Sequence, residues 1–253
     1  MQKAIFVRDF NRYIDFSNID YIYVWDADCD FKCISIFEKV DFFERLLSFE
    51  KTIVLVTPVF TRGMKQKFEA IIEKHKSLIQ QYNIQIVVNS WGTFFFLKKI
   101  FWEKIEIIWG KWMYVQIKDP MAKKIENSVK WNFSIDYTFY NDFFQKNKNI
   151  IGIEAVNIES HFSLSHIKLP VHMYYPLVPF SNVKYCYSWN VFHKNIAIKV
   201  VDYCSGCEWK ELKYHFDYQK ERTYYKGNTF YSKNYSLENV DSLATRLVYN
   251  YFE

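Results

Sequence analysis

The feature that most constrains this chain is a regular alternation of short apolar runs with helical stripes through its first half. Ala4–Val7 and Tyr21–Trp25 are short runs of apolar and aromatic residues, the composition of strands. Thr52–Thr57 is continuously apolar from Ile53 to Val56 and is closed by Pro58, the pattern of a strand buried on both faces. Ile84–Val88 and Ile105–Trp109 repeat it, the second ended by Gly110. Between them lie stripes at helical spacing: Ile36, Phe37, Val40, Phe43, Leu46 and Leu47 in residues 36–49, then Met64, Phe68, Ile71, Ile72, Leu78 and Ile79 in residues 63–82. Phe94–Phe101 forms a shorter one. Strand–helix alternation with loops of ordinary length predicts right-handed βαβ units around a parallel sheet. The predicted fold is α/β, a TIM-like (β/α) barrel that need not be complete.

The second half is less regular. Asn149–Glu154 and Leu169–Tyr174 are expected as further strands, Pro120–Asn132 and Ser236–Phe252 as helices, and Lys226-Gly227-Asn228 as a hairpin turn. No Ser/Pro/Gly-rich linker interrupts the 253 residues, which suit one barrel. The expectation is a single domain: a barrel over 1–208 and an aromatic-rich C-terminal extension over 209–253. Aromatic residues make up 21% of the chain (24 Phe, 20 Tyr, 8 Trp). That load must fill a large core and cover part of the surface, where it suits a partner.

Sites in such folds lie beyond the carboxyl ends of the strands. Here those ends are Trp25–Asp28, Thr57-Pro58, Asn89–Trp91 and Gly110-Lys111. Asp26 and Asp28 alternate at the first and are candidates to bind a cation or a substrate, with helix capping as the plainer role. Trp91, Trp112, Tyr174 and Tyr175 stand near strand ends as candidates to stack on an RNA base, a quinone or a peptide side chain, or to close a lid. His172 lies in a strand-like run that can face the mouth, and Glu154 closes another strand. The histidines form no H-x-x-x-H or H-E-x-x-H pair, and neither G-x-G-x-x-G nor a P-loop occurs, so no nucleotide cofactor is indicated.

Net charge is +5, from 33 basic and 28 acidic residues, with the lysines scattered. Charge alone therefore does not argue for nucleic acid. Met1–Arg8 lacks an apolar leader core, and no apolar run reaches about 18 residues, so neither a signal peptide nor a membrane span is expected. A cytoplasmic location follows from that expectation, and in a reducing compartment the odd count of five cysteines argues against a disulfide framework.

Three of the five cysteines fall close together: Cys186, then Cys204-Ser-Gly-Cys207. A C-x-x-C turn lets two sulfurs converge on one ion. A fourth ligand must come from elsewhere, and the first rim offers Cys29 or Cys33. Four thiolates suit a [4Fe–4S] cluster or a structural zinc equally by ligand type. A thioredoxin-like pair and unrelated buried cysteines are the remaining readings.

The ordered series of segments resembles the collagenase-like peptidase superfamily, peptidase family thirty-two of unknown catalytic type. The segments are Val24–Cys33, Lys51–Pro58, Ile86–Gly92 (with Ser90 where that family usually has Asp), Ile107–Gly110 and Val171–Cys186. Within it the chain is most similar to the proteins of oxygen-independent ubiquinone hydroxylation, the UbiU/UbiV type. The resemblance implies a TIM-like barrel with a [4Fe–4S] cluster held by Cys33, Cys186, Cys204 and Cys207, with Cys29 as the alternative early ligand. It implies work beside a second protein subunit. The chain departs from that type in having no Lys-Arg pair after Cys33. No Gly-rich His-Gly-Gly-type segment precedes the cysteine and no nucleophile–base pair stands out, which weakens a peptidase role. The expected function is an iron–sulfur protein of an oxygen-independent, hydroxylation-type modification. The alternatives are a zinc-stapled or metal-free module that binds peptide or RNA, and a peptidase.

Overall fold

The computed structural model describes residues 1–7, 15–24, 29–38, 41–60, 62–113, 137–155, 168–182, 210–211, 223–226, 229–233 and 244–250. Its elements in chain order are β1 (Gln2–Val7), β2 (Tyr21–Val24), α1 (Asp30–Phe37), α2 (Phe42–Leu47), β3 (Thr52–Val56), α3 (Arg62–Lys74), α4 (Lys76–Gln81), β4 (Gln85–Val88), α5 (Trp91–Phe101) and β5 (Ile107–Trp109). There follow α6 (Tyr137–Lys146), β6 (Ile150–Ala155), β7 (Val171–Asn182), β8 (Lys210–Glu211), β9 (Thr223–Lys226), β10 (Thr229–Lys233) and β11 (Arg246–Asn250). Strands β1 to β7 pair in sequence order, and β11 pairs with both β1 and β7. All eight of these pairings are parallel, so the chain forms a closed eight-stranded α/β barrel.

The period of two along each strand sorts the side chains. Outward residues such as Ile22, Ile53, Ile86, Ile107, Met173 and Leu247 belong to one apolar layer with helix residues Phe37, Phe68, Phe94 and Phe144. Inward residues Ala4, Phe6, Tyr23, Val54, Val87, Ile108, Tyr174 and Val248 form a second, smaller cluster inside the barrel. This double coverage explains why the strands read as continuous apolar runs.

Three sequence expectations change. The stripe over 36–49 is two helices, α1 and α2, and that over 63–82 is α3 and α4, parted at His75. The helix expected over Ser236–Phe252 gives way to strand β11 at Arg246–Asn250. Adjacent Leu247 and Val248 satisfy a helical stripe or a doubly buried strand equally well. The unpaired edges of β1 and β7 decide for the strand. The C-terminal segment therefore returns to complete the barrel, and the boundary drawn at 208 does not hold for residues 246–250. The hairpin expected at Lys226–Asn228 corresponds to the antiparallel pair β9–β10.

Strand β7 outruns the barrel. Its second half pairs with β10, and β10, β9 and β8 continue as a small antiparallel sheet on the carboxyl side of the barrel. At the amino end, three turns that lead into β3, β4 and β5 place Glu50, Asn83 and Trp102 at positive φ of 53, 48 and 58°. Each costs a non-glycine residue roughly 1–2 kcal/mol. Among the described residues no helix is long and apolar enough to cross a membrane. The expected helix Pro120–Asn132 lies outside the described residues.

Candidate functional site

The barrel interior is polar at both ends. At the amino end Arg246 is the hub. Its register partners are Gln2 on β1 and His172 on β7. Arg246 Nε donates to Gln2 Oε1 at 3.0 Å, and Nη1 donates to Gln85 Oε1 and to Tyr23 Oη, each at 3.1 Å. The guanidinium lies 3.4 Å from the Tyr21 ring centroid, where its planar charge meets the ring face.

Arginine can only donate, so the Tyr23 oxygen accepts from Arg246, and the same hydroxyl is hydrogen-bonded to His172 Nδ1, 2.9 Å away. Burial, reinforced by the Arg246 charge, holds the His172 pKa well below the ordinary value. Burial pushes the Tyr23 phenol up, against the opposing pull of Arg246. The imidazole has room because residue 152 is glycine. A Cβ there would stand 2.8 Å from His172 Nε2 and 2.9 Å from its Cε1.

Toward the carboxyl mouth a second group forms around Glu154, which is fully buried. Tyr174 Oη donates to Glu154 Oε1 at 2.5 Å, and the Lys111 backbone N–H donates to Oε2 at 3.4 Å. The Lys111 Nζ sits 4.1 Å from the Tyr174 ring centroid. Thus a carboxylate, a phenol and an amine meet inside the mouth on strands β6 and β7 and at the end of β5. Beside them Asn89 Nδ2 donates to the Thr57 carbonyl at 2.7 Å, and Asn89 Oδ1 accepts from the Trp112 N–H at 3.3 Å. Gly110 permits that reach, since a Cβ there would fall 2.2 Å from Asn89 Oδ1.

Of the residues singled out from sequence, His172, Tyr174 and Glu154 are brought together in the interior. Trp91 is not. It opens α5 on the outer side, partly exposed, edge-on to Trp109 and stacked with Phe95. Tyr175 also faces the outer layer. Cys29 is the residue before α1 and Cys33 lies one turn inside it, with its own N–H bonded to the Cys29 carbonyl at 3.0 Å. Both are buried, and Cys33 belongs to the outer apolar layer. Asp26, Asp28, Cys186, Cys204 and Cys207 lie outside the described residues. Among the described residues no group of three or more His, Cys, Asp or Glu stands together to hold a metal.

Arg246, Tyr23 and Gln85 escape the sequence reading, which names Lys111 only as part of a strand end. Arg246 sat in a segment taken for helix. Lys111 carried a usable signal, a lysine directly after a strand-ending glycine. Comparison with family models, with curated proteins and with solved structures finds no match.

Proposed function

We propose that the chain is an iron–sulfur protein of an oxygen-independent, hydroxylation-type modification, with its [4Fe–4S] cluster at the carboxyl mouth of the barrel. One observation carries this reading: the early and late cysteines belong to segments that leave the barrel from the same end. Cys29 follows the carboxyl end of β2 and stands at the start of α1. Cys186, Cys204 and Cys207 lie in the segment that joins the carboxyl end of β7 to β8. Only β11 and β1 separate β7 from β2, about 14 Å of wall at a spacing of about 4.8 Å per strand.

By ligand type, four thiolates suit the group. Cys29 at a helix N-terminus is placed where a thiolate is favoured, whereas Cys33 points to the apolar layer. The proposed ligands are therefore Cys29, Cys186, Cys204 and Cys207, with Cys33 second to Cys29. When bound, the cluster supplies one-electron chemistry. The chain's own residues supply the rest: the aromatic interior excludes water, and Glu154 with Tyr174 holds a proton beneath the mouth. The exposed aromatic rings of Trp91, Phe95 and Phe139 suit a second protein subunit, and a cytoplasmic, reducing setting suits free thiolates.

Iron and acid-labile sulfide analysis of anaerobically purified protein tests the reading. Brown protein with matched iron and sulfide is the expected result. Cys29→Ala abolishes the iron, and Cys33→Ala retains it. Colourless protein with one equivalent of zinc overturns the cluster and favours the zinc-stapled binding module.

A further inference from the structure

Among the described residues Lys111 is the buried lysine, with 3% of its surface exposed. Its place at the carboxyl end of β5, directly after Gly110, is where barrel enzymes carry reacting side chains. A lysine becomes a nucleophile once its ammonium proton passes to a neighbouring base. An acid–base pair stands beside it: the Tyr174 ring lies 4.1 Å from Lys111 Nζ, and the Tyr174 hydroxyl is hydrogen-bonded to the buried Glu154.

We propose that Lys111 is an amine nucleophile that takes a small carbonyl compound as an imine. The Tyr174–Glu154 pair accepts a proton from the ammonium. The Nζ lone pair then attacks the carbonyl carbon, the N–C bond forms and the carbonyl π pair moves to oxygen. That oxygen takes the proton back from Tyr174 and a second one from nitrogen. The C–O bond breaks, water leaves, and a C=N bond remains. From ammonium and carbonyl the sum is protonated imine and water, with no oxidant, reductant or net proton. The iminium carries its charge where the ammonium carried it, over the Tyr174 ring and near Glu154, so the site's electrostatic balance is kept. Lys111 is the catalytic residue of this step; Glu154 acts through Tyr174 as a positioning residue. None of this requires a cluster.

Reductive trapping tests it. The protein as purified is incubated with glyoxylate and cyanoborohydride, and peptide mass mapping follows carboxymethylation of each lysine. Exposed Lys67, Lys74, Lys99 and Lys104 are internal references. Lys111 is expected to label ahead of them by about a hundredfold, the low end of general acid–base assistance. Glu154→Gln is expected to erase that lead and the acidic limb of its pH profile, while Lys111→Arg removes only this site. The measurement on unaltered protein does not depend on either variant folding. Labelling of Lys111 at or below the rate of the references overturns the proposal and leaves the lysine as the counter-charge of Glu154. Iron analysis of the same sample separates this outcome from the fate of the cluster reading.

Discussion

The two faces of the barrel wall are made by the same strands and differ sharply. The outward face of β2 is Ile22 and Val24, and the inward face is Tyr21 and Tyr23. On β6 and β7 the outward Ile153 and Met173 alternate with inward Glu154, His172 and Tyr174. Any well-filling apolar side chain serves on the outside, where aromatic rings from α1, α2, α3, α5 and α6 close over the strands. Inside, polar groups are stripped of water and must be matched one to one. Such groups stabilise less than apolar residues of equal volume would. The interior is thus the region where pairing decides what fits, and the outer layer the region where packing does.

The largest effect that can test this contrast is in the outer layer. Phe68 is almost fully buried and stacks on Phe60 with ring centroids 4.7 Å apart. Phe68→Ala is expected to cost about 3–5 kcal/mol in denaturant unfolding, with no change in the shape of the pH–stability profile. A change in that shape would mean that the two regions are not independent.

A smaller loss is expected from a methyl group added inside. Gly152→Ala drives a Cβ to 2.8 Å from the His172 ring, and overpacking of this kind costs about 1–3 kcal/mol. The expected signature is displacement of His172 from Tyr23, visible as a changed imidazole resonance. An unchanged resonance would contradict the geometry described here.

The smallest effect is titration. The His172 pKa is depressed in the folded protein, so as pH falls below about 6.5 the unfolded chain takes the proton first. Stability is thus full above that value and is lost below it, by at most about 1.4 kcal/mol per pH unit for one proton. Tyr23 works the other way. Its raised value means that the unfolded chain ionises first above about pH 10, and stability falls there too. His172→Gln is expected to flatten the acid limb and Tyr23→Phe the alkaline one. If both limbs survive both variants, the interior does not govern the pH response.

Much of the fold was legible because strand and helix have different periods. Thr52–Val56, Gln85–Val88 and the Phe94–Phe101 part of α5 follow directly from local pattern. The interior site was legible only where chemistry and period coincided, as at Glu154, His172 and Tyr174, which alternate along two recognisable strands. Arg246 was not, because Leu247 and Val248 fit a helix as well as a strand. Tyr23 was not, because a tyrosine in an apolar run reads as core, and only its bonds to Arg246 and His172 give it a role.

By itself the sequence determined the αβ alternation, the doubly buried strands and the rim positions, all of which depend on neighbours a few residues away. The tertiary structure alone decided that the last strand closes the barrel between the first and the seventh, and that Gln2, Tyr23, His172 and Arg246 meet in one network. Those choices rest on hydrogen bonds between strand edges and side chains far apart in the chain. Local periodicity carries no information about them.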